Sequence, residues 1–428
     1  MKNQSNKTIA VIGLGYVGLP LALLAERKGY KVVGIDTDAK KVELLNKRTT
    51  PFAGEQIVKQ LKNSSLETTT DFNRIKDASV IIICVPTPVY ENHIPNLEPV
   101  KNACRNIAKF LQKGQLVILE STVNPGVSEN IVIPILEKES GLKAGKNFFV
   151  AHCPERINPG DKNWTVENIP RVVGGLEEKD LEMAYKFYSS IISGQIKMMG
   201  SIKEAESVKV VENSFRDINI AFVNELAMSF SKLGIDVVNV INGAATKPFA
   251  FMAHYPGIGV GGHCIPVDPY YLIDYAKQNG FDHDFLKLAR KINNNMPKFT
   301  AEKVLNGLNE VKMAMNGTKI AVLGLAYKPN IDDCRESPAF ALIKVLEKYR
   351  ASVVTFDPFV PSRSTAKSLG EALKDASAVV IATCHDQFKN LEPEYLLKNG
   401  VKVVVDGRNC LPKEKFIKAG IIYKGIGR

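Results

Sequence analysis

No apolar run in this 428-residue sequence is long enough to cross a membrane, which excludes an integral helical membrane protein. The start, Met-Lys-Asn-Gln-Ser-Asn-Lys, runs into a strand without the apolar core of a signal peptide. Cysteine is sparse and shows no pairing pattern. Its seven residues, an odd number, are scattered without a repeating spacing, which argues against a disulfide framework. No C-x-x-C pair occurs, so structural zinc is not expected, nor is any other metal. A cytoplasmic protein with reduced thiols is the expectation. Arginine-rich runs are also missing. The net charge of +11 comes from dispersed lysines, with no nucleic-acid module beside them. Solvated surface charge is the simpler reading, nucleic-acid binding is not supported, and some of the excess suits small phosphorylated ligands. The bulk numbers are ordinary for a globular chain, at 45% hydrophobic and 24% charged. The length allows two or three domains, each with its own core.

The first half alternates strand-like and helix-like segments. Thr8–Ile12, Lys31–Ile35, Val80–Cys84, Leu116–Leu119 and Asn147–Ala151 read as buried strands with amphipathic stretches between them. That alternation predicts a parallel sheet covered by helices on both faces. Residues Ile202 to Leu233 contain neither proline nor glycine and carry Val208, Val211, Phe215, Ile218, Phe222, Leu226 and Phe230 at helical spacing. A helix of that length links domains or pairs with a second subunit. A second α/β unit begins at Thr318, with strands at Lys319–Leu323, Ser352–Phe356, Val379–Ala382 and Val401–Val405 and a helix at Pro338–Lys348. The expected fold class is therefore α/β, with a Rossmann-type domain over 1–200, a central helical region over 201–315 and a smaller Rossmann-like domain over 316–428.

Gly13-Leu14-Gly15-Tyr16-Val17-Gly18 follows a strand and opens a helix, and Asp36 ends the next strand. Such glycines permit a tight turn and close approach of a pyrophosphate, which then rests on the helix N-terminus. A carboxylate at Asp36 suits both ribose hydroxyls and repels a 2′-phosphate, so NAD is favoured over NADP. The turns Val85-Pro86-Thr87-Pro88 and Glu120-Ser121-Thr122-Val123-Asn124-Pro125-Gly126 end two further strands, where ligands of such sheets lie. The Ser121 and Thr122 hydroxyls suit water or cofactor. For Ser121, capping of the following helix is the favoured reading.

Far downstream stands Gly261-Gly262-His263-Cys264-Ile265-Pro266-Val267-Asp268-Pro269-Tyr270-Tyr271. It sets a thiol after a flexible glycine pair and four residues before a carboxylate. A nicotinamide site combined with an activated cysteine points to oxidation through a thioester, a different reaction from simple alcohol oxidation.

These residues resemble the UDP-glucose/GDP-mannose dehydrogenases, which oxidise C6 of a nucleotide sugar to the acid. The likeness covers nearly the whole chain. It includes Gly13–Gly18, Ser121–Gly126, Pro154-Glu155-Arg156-Ile157-Asn158-Pro159-Gly160, Glu206 through Glu225, the Cys264 run, and Gly324-Leu325-Ala326-Tyr327-Lys328-Pro329 through Arg335-Glu336-Ser337-Pro338. His263 and Ile265 to Tyr271, with Pro154 to Asp161, are similar to the UDP-N-acetylhexosamine branch, with UDP-N-acetylglucosamine placed first. UDP-N-acetylgalactosamine, UDP-N-acetylmannosamine and UDP-glucose remain alternatives. Pro159 stands where some relatives carry a second hydrolytic glutamate. The resemblance implies an NAD domain, a central region that dimerises through the long helix, and a UDP-binding domain.

It also implies roles. Cys264 is the nucleophile, and its thiol is activated by the cationic Lys209 and by a helix opening near Pro266–Pro269. Lys209 and Asn213, four apart on one helix face, stabilise the developing oxyanion. Asp268 works with a water as base, or caps the helix before Pro269. Glu155 promotes thioester hydrolysis on a water positioned by Thr122. The cofactor set is Gly13, Gly15, Tyr16, Val17, Gly18, Asp36, Pro86, Thr87, Ser121, Thr122 and Arg335. The sugar nucleotide falls to Glu155, Arg156, Lys209, Asn213, Tyr255 to Gly261, Lys328 and Arg408, with Lys247 reaching a neighbour's substrate; Arg and Lys suit its phosphates. His263 either reads the acetamido group or packs within its loop. His152, His254 and His385 have no metal partners, and Cys84, Cys153, Cys334, Cys384 and Cys410 read as core or incidental thiols. Two other readings stand beside this one: a two-electron hydroxyacid-type dehydrogenase, distinguished by one NADH per substrate, and a non-catalytic UDP-sugar sensor, distinguished by binding without NADH.

Overall fold

The computed structural model describes residues 7–50, 55–90, 94–157, 163–262 and 264–428, with 55 and 56 as backbone only. His263 and Asn158 to Asp161, including Pro159, lie outside the described residues. The chain divides into two compact bodies, one formed by Met1–Glu212 with Tyr270–Phe281, the other by Asn213–Pro269 with Asp282–Arg428.

The strands of the first body are β1 (Thr8–Ile12), β2 (Lys31–Ile35), β3 (Glu67–Thr69), β4 (Ala78–Ile83), β5 (Leu116–Leu119), β6 (Phe149–His152), β7 (Arg171–Gly175) and β8 (Ile196–Met198). They form one sheet in the order β3-β2-β1-β4-β5-β6-β7-β8. Pairing is parallel except between β6 and β7, where Ala151 opposes Gly175. The expectation of a parallel sheet thus meets one antiparallel step, at a strand whose short Arg-Val-Val-Gly-Gly sequence carries little apolar signal. Side chains alternate across the sheet as the pleat requires. Ile9 and Val11 enter one apolar cluster, while Ala10 and Ile12 enter the cluster on the opposite face. Strands buried on both faces read as continuous apolar runs, which is why this half of the fold is legible in the sequence.

The second body repeats the plan with β9 (Lys319–Leu323), β10 (Ser352–Phe356), β11 (Ala378–Ile381), β12 (Val403–Asp406) and β13 (Ile422–Gly425), in the parallel order β10-β9-β11-β12-β13. Ala321 and Leu323 face one cluster, Ile320 and Val322 the other. The register Ile381↔Asp406 sets the ends of β11 and β12 side by side. Just beyond those ends, Cys384 and Cys410 form a disulfide with Cα atoms 6.5 Å apart. This corrects the reading of both as incidental thiols: a separation of 26 residues in sequence conceals neighbours in the sheet.

The long helix spans Ile202–Leu233 as predicted and begins in the first body. In the second body it packs on the helix Asp284–Glu310 through a buried polar ladder. Asp217 accepts from Arg290 Nη1 at 2.6 Å and from Asn293 Nδ2 at 2.8 Å, and Asn224 Nδ2 donates to Asn293 Oδ1 at 2.9 Å. The buried face of the long helix there includes Asp217 and Asn224 with Val223 and Ala227, and of the larger apolar stripe Leu226 and Phe230 pack against it. Val211, Phe215 and Phe222 stay about half exposed (54%, 47% and 53%). Among the described residues no helix is long and apolar enough to cross a membrane.

His152 ends β6 at 1% exposure, with no partner for Nδ1 among the described residues, and burial pushes its imidazole down to about 3. The unfolded chain protonates this residue near 6.5, so its contribution to stability is complete above that pH and is lost as pH falls towards 3. Between pH 7 and 5 the loss from this one group is about 2 kcal/mol. We predict that His152→Leu shortens the drop in urea midpoint between those two pH values. An identical drop in wild type and variant contradicts this.

Candidate active site

In the first body, the glycine turn after β1 is built around contacts that exclude side chains. Gly13 has φ +92°, and a Cβ there would stand 2.8 Å from Cys84 O; at Gly18 it would stand 2.0 Å from Gly13 O. At Gly15, by contrast, a Cβ would meet nothing within 4 Å among the described residues, so the turn between these two fixed points leaves room there. The helix that follows, Gly18–Arg27, carries no side-chain cap. A pyrophosphate fits such an end, because uncapped N–H groups and the helix dipole favour an anion. Tyr16 and Val17 complete this turn, both half-buried.

Asp36 is 7% exposed at the end of β2. Its Oδ2 accepts the Leu14 N–H at 2.8 Å and Lys41 Nζ at 2.8 Å, and its Oδ1 accepts the Asp38 N–H at 3.0 Å. The carboxylate thereby locks the glycine turn and retains acceptor capacity for ribose hydroxyls. With their donors and acceptors, these residues fit NAD, whose chemistry when bound is to accept hydride.

The turn after β4 places Pro86 at the surface and Thr87 half-buried. Thr87 O accepts the hydroxyl of Tyr271, a fully buried residue of the helix Asp268–Gln278. Ser121 does not cap a helix. Its Oγ donates to Val85 O at 2.7 Å and so ties the β5 turn to the β4 turn. Capping is done instead by Glu206 of the long helix, which accepts the Gly126 N–H at 2.5 Å and the Ser128 N–H at 2.8 Å. Thr122, half-buried, stands in the turn that this clamp secures. Lys209, also half-buried, lies less than one helical turn beyond Glu206.

Glu155 follows β6 and is 6% exposed. Its Oε1 accepts the N–H groups of Arg156 (2.6 Å) and Ile157 (2.7 Å), and its Oε2 accepts Arg171 Nη2 at 2.8 Å. Arg156 pairs with Glu212 and donates to Pro170 O at 3.0 Å. Glu120, Glu206, Arg171 and Tyr271 went unassigned in the sequence reading. The only signal for them was charge or hydroxyl at an otherwise apolar strand end or helix face.

The second body gathers the other predicted residues. Cys264 is half-buried, and its carbonyl accepts the N–H groups of Val267 (3.0 Å) and Asp268 (2.8 Å), so the thiol sits on the turn that starts the helix Asp268–Gln278. A helix N-terminus favours thiolate. Asp268 is 2% exposed and accepts Asn213 Nδ2 at 2.5 Å. Asn213 therefore orients the carboxylate, a job beyond the oxyanion role expected of it.

The glycine pair before Cys264 is not there for flexibility. A Cβ at Gly261 would lie 2.8 Å from both Pro338 Cδ and Tyr327 Cβ, and Gly262, with φ +92°, lies against the Tyr327 ring at 3.0 Å. Close packing thus holds the cysteine turn against the Tyr327-Lys328 loop. Gly262 N–H also donates to Arg335 O at 3.1 Å. The Arg335 guanidinium itself forks onto Asp333.

Arg408, after β12, donates from Nε to Ala382 O at 2.8 Å and passes so close to Gly257 that a Cβ there would stand 2.7 Å from Nη1. This packs the Tyr255–Gly261 segment on the end of the second sheet. Lys328 is half-buried in its loop. Tyr255 is exposed and donates to Asn242 Oδ1 at 2.8 Å; Lys247 is exposed with Nζ 4.7 Å from the centre of the Phe249 ring. Among the described residues no group of His, Cys, Asp or Glu is arranged to hold a metal.

Fold and site together define an NAD-dependent oxidoreductase. The chain belongs to the UDP-glucose/GDP-mannose dehydrogenase family: residues 7–192 match its NAD binding domain, 203–295 its central domain and 321–413 its UDP binding domain. It is 39% identical to a UDP-N-acetyl-D-mannosamine dehydrogenase of Pyrococcus horikoshii, over 98% of this chain and 99% of that one. A solved structure of that enzyme matches with a TM-score of 0.93, again over 98% and 99% of the two chains. Identity to a UDP-N-acetyl-D-glucosamine 6-dehydrogenase of Pseudomonas aeruginosa is 36%, covering 95% and 98%. A UDP-N-acetyl-mannosamine dehydrogenase structure from Staphylococcus aureus matches at 31% identity and TM-score 0.86, covering 98% and 99%.

Asp36→Ala is expected to lower kcat/KM for NAD by about tenfold or more, the range for hydrogen bonds to a charged group. NADP should gain relative to NAD, because Lys41 is released from Asp36 to meet a 2′-phosphate. An unchanged NADP-to-NAD ratio in steady-state assays would refute the second part.

Proposed function

We propose that this protein is a UDP-N-acetylhexosamine 6-dehydrogenase acting on UDP-N-acetyl-D-mannosamine, which it oxidises by four electrons to the uronate. The observation that carries the four-electron route is Cys264 on the turn into the Asp268 helix, with the Asp268 carboxylate held by Asn213. The sugar is argued from relatives. Two of the three named above act on N-acetylmannosamine by name, including the one at TM-score 0.93. This moves N-acetylmannosamine ahead of the N-acetylglucosamine expected from local motifs, which stays the second reading on the strength of the Pseudomonas enzyme.

Asp268, through a water, takes the proton of the C6 hydroxyl while a hydride leaves that carbon. The Cys264 thiolate adds to the resulting aldehyde and forms a C–S bond, with Lys209 and Asn213 facing the oxyanion. Loss of a second hydride leaves a thioester. Glu155 takes a proton from water, the water attacks, the C–S bond breaks, and thiolate and uronate part. Covalent capture retains the aldehyde and divides a difficult oxidation into easier steps. Lys328 and Arg408 take the UDP phosphates, and Arg335 the cofactor.

We also propose a homodimer through the long helix. Val211, Phe215 and Phe222 fall on one outward face and are half exposed, an arrangement a second copy of the same stripe would cover.

With UDP-N-acetyl-D-mannosamine the enzyme should form two NADH per sugar and a uronate identified by mass. UDP-N-acetylglucosamine, UDP-N-acetylgalactosamine and UDP-glucose should be poorer substrates by kcat/KM. One NADH per sugar, or faster turnover of another sugar, defeats the assignment. Cys264→Ser should lose steady turnover to acid by about a thousandfold or more while still binding nucleotide. Phe222→Asp should shift the sedimenting species from dimer to monomer; an unchanged species rejects that interface.

A further inference from the structure

Beneath the turns that carry Thr122 and Glu155 lies a buried cluster of charge. Arg171, the first residue of β7, is 1% exposed. Its Nη1 donates to Glu120 Oε1 at 3.1 Å and its Nη2 to Glu155 Oε2 at 2.8 Å. Glu120 is 1% exposed and directly precedes Ser121; its Oε1 also accepts the Tyr188 hydroxyl at 2.6 Å, and its Oε2 lies 3.7 Å from Cys84 Sγ. Cys153 Sγ lies 4.0 Å from Arg171 Nη1. One guanidinium cannot compensate two buried carboxylates, so the cluster favours holding one proton near neutrality. Glu155 has three donors, two of them backbone N–H groups, and is the better-stabilised anion. The proton therefore belongs on Glu120.

We propose that Arg171 is a positioning residue for Glu155 and that Glu120 sets how firmly it holds. While Glu120 is protonated, Arg171 serves Glu155 alone and keeps it a weak base. When Glu120 ionises, Arg171 is divided between two anions, and Glu155 becomes the stronger acceptor for the proton of the hydrolytic water. This rests on the role given to Glu155 above.

Burial raises Glu120 to about 7, with Arg171 opposing the rise and the Glu155 charge adding to it, so the change falls in the working range. The groups facing Glu120 are Arg171, Glu155, Tyr188 and Cys84. Burial pushes the Cys84 thiol and the Tyr188 phenol well up, and Cys153 to about 12, so none of them loses a proton near neutrality.

The test uses the full chain with NAD and UDP-N-acetyl-D-mannosamine. The decay of the acyl-enzyme on Cys264 is followed by rapid quench and intact mass across about pH 6 to 9. Wild type should hydrolyse faster as pH rises through the Glu120 ionisation. Glu120→Gln, neutral and of the same shape, should lose that rise and stay slow. Tyr188→Phe removes a bond that favours the Glu120 anion, so the rise should persist but move to higher pH; melting temperatures report the folded state separately. Retention of the wild-type limb in Glu120→Gln overturns the proposal, and should that variant not fold, an unmoved limb in Tyr188→Phe does so. Glu155→Gln separates the two levels of the argument. If it turns over normally without accumulating acyl-enzyme, the role of Glu155 falls and this inference with it. If it stalls as acyl-enzyme while Glu120→Gln keeps the wild-type limb, only this inference falls.

Discussion

A carboxylate at the end of a strand, accepting the backbone N–H of a glycine turn on the neighbouring strand, is the constraint on which both halves of this chain depend. In the first body Asp36 takes the Leu14 N–H at 2.8 Å, and in the second Asp357 takes the Leu325 N–H at 2.6 Å. In each, the turn glycine has positive φ (Gly13 +92°, Gly324 +94°), and its backbone abuts the next strand's end, at Cys84 in one case and Thr383 in the other. Parallel strands end with carbonyl and N–H groups that have no sheet partner. A buried anion that collects them fixes the turn and leaves the strand ends presentable to a ligand.

The two halves then diverge in how much of that carboxylate is left over. Asp36 ends its bonding with Lys41 at the protein surface and keeps room for sugar hydroxyls. Asp357 is fully buried. It also takes Ala326 N–H, Phe359 N–H and Val360 N–H, and it faces His385 Nε2 at 3.0 Å. Those hydrogen bonds hold its carboxyl down to about 2 against the opposing pull of burial. Where the first turn has Gly15 and Gly18, the second has Ala326 and Pro329, which cannot offer the same close backbone approach. The second sheet thus keeps the scaffold of a dinucleotide fold without its ribose acceptor or its pyrophosphate cradle. The same stretch matches the family's UDP binding domain, and Lys328 and Arg408 are the cations proposed above for its phosphates.

What the sequence made legible follows from the same physics. Continuous apolar strands, the glycine fingerprint and the Cys264 run each carry their signal within a few residues, so the strands, the cofactor and the family could be read directly. The misses in the fold are long-range. β7 and β8 are short and polar at their ends, and pairing alone defines them. Cys384 and Cys410 meet because β11 and β12 are neighbours. Gly261 and Gly262 look like a flexible hinge until Tyr327 and Pro338 are seen to leave no room for a Cβ. The apolar spacing on Ile202–Leu233 gives the helix but not its buried polar contacts, because Asp217 and Asn224 are satisfied only by Arg290 and Asn293 from a distant helix.

The same distinction explains why the Glu120–Arg171–Glu155 cluster calls for a functional account. A buried ion pair seldom adds stability over a well-packed apolar set of equal volume, since desolvation consumes most of the Coulomb gain. A triad with two anions and one cation is worse placed still, and Arg171 Nε, without a partner among the described residues, adds a further cost. Charge is concentrated where β5 and β6 end, before Thr122 and Glu155, and where the antiparallel β7 begins. A group of three that share one proton is a poor clamp but a good regulator of basicity, because a small change in proton occupancy redistributes the guanidinium between two acceptors. Stability alone would favour hydrocarbon at these positions, so the charge kept there accords with the positioning role proposed for Arg171 and Glu120.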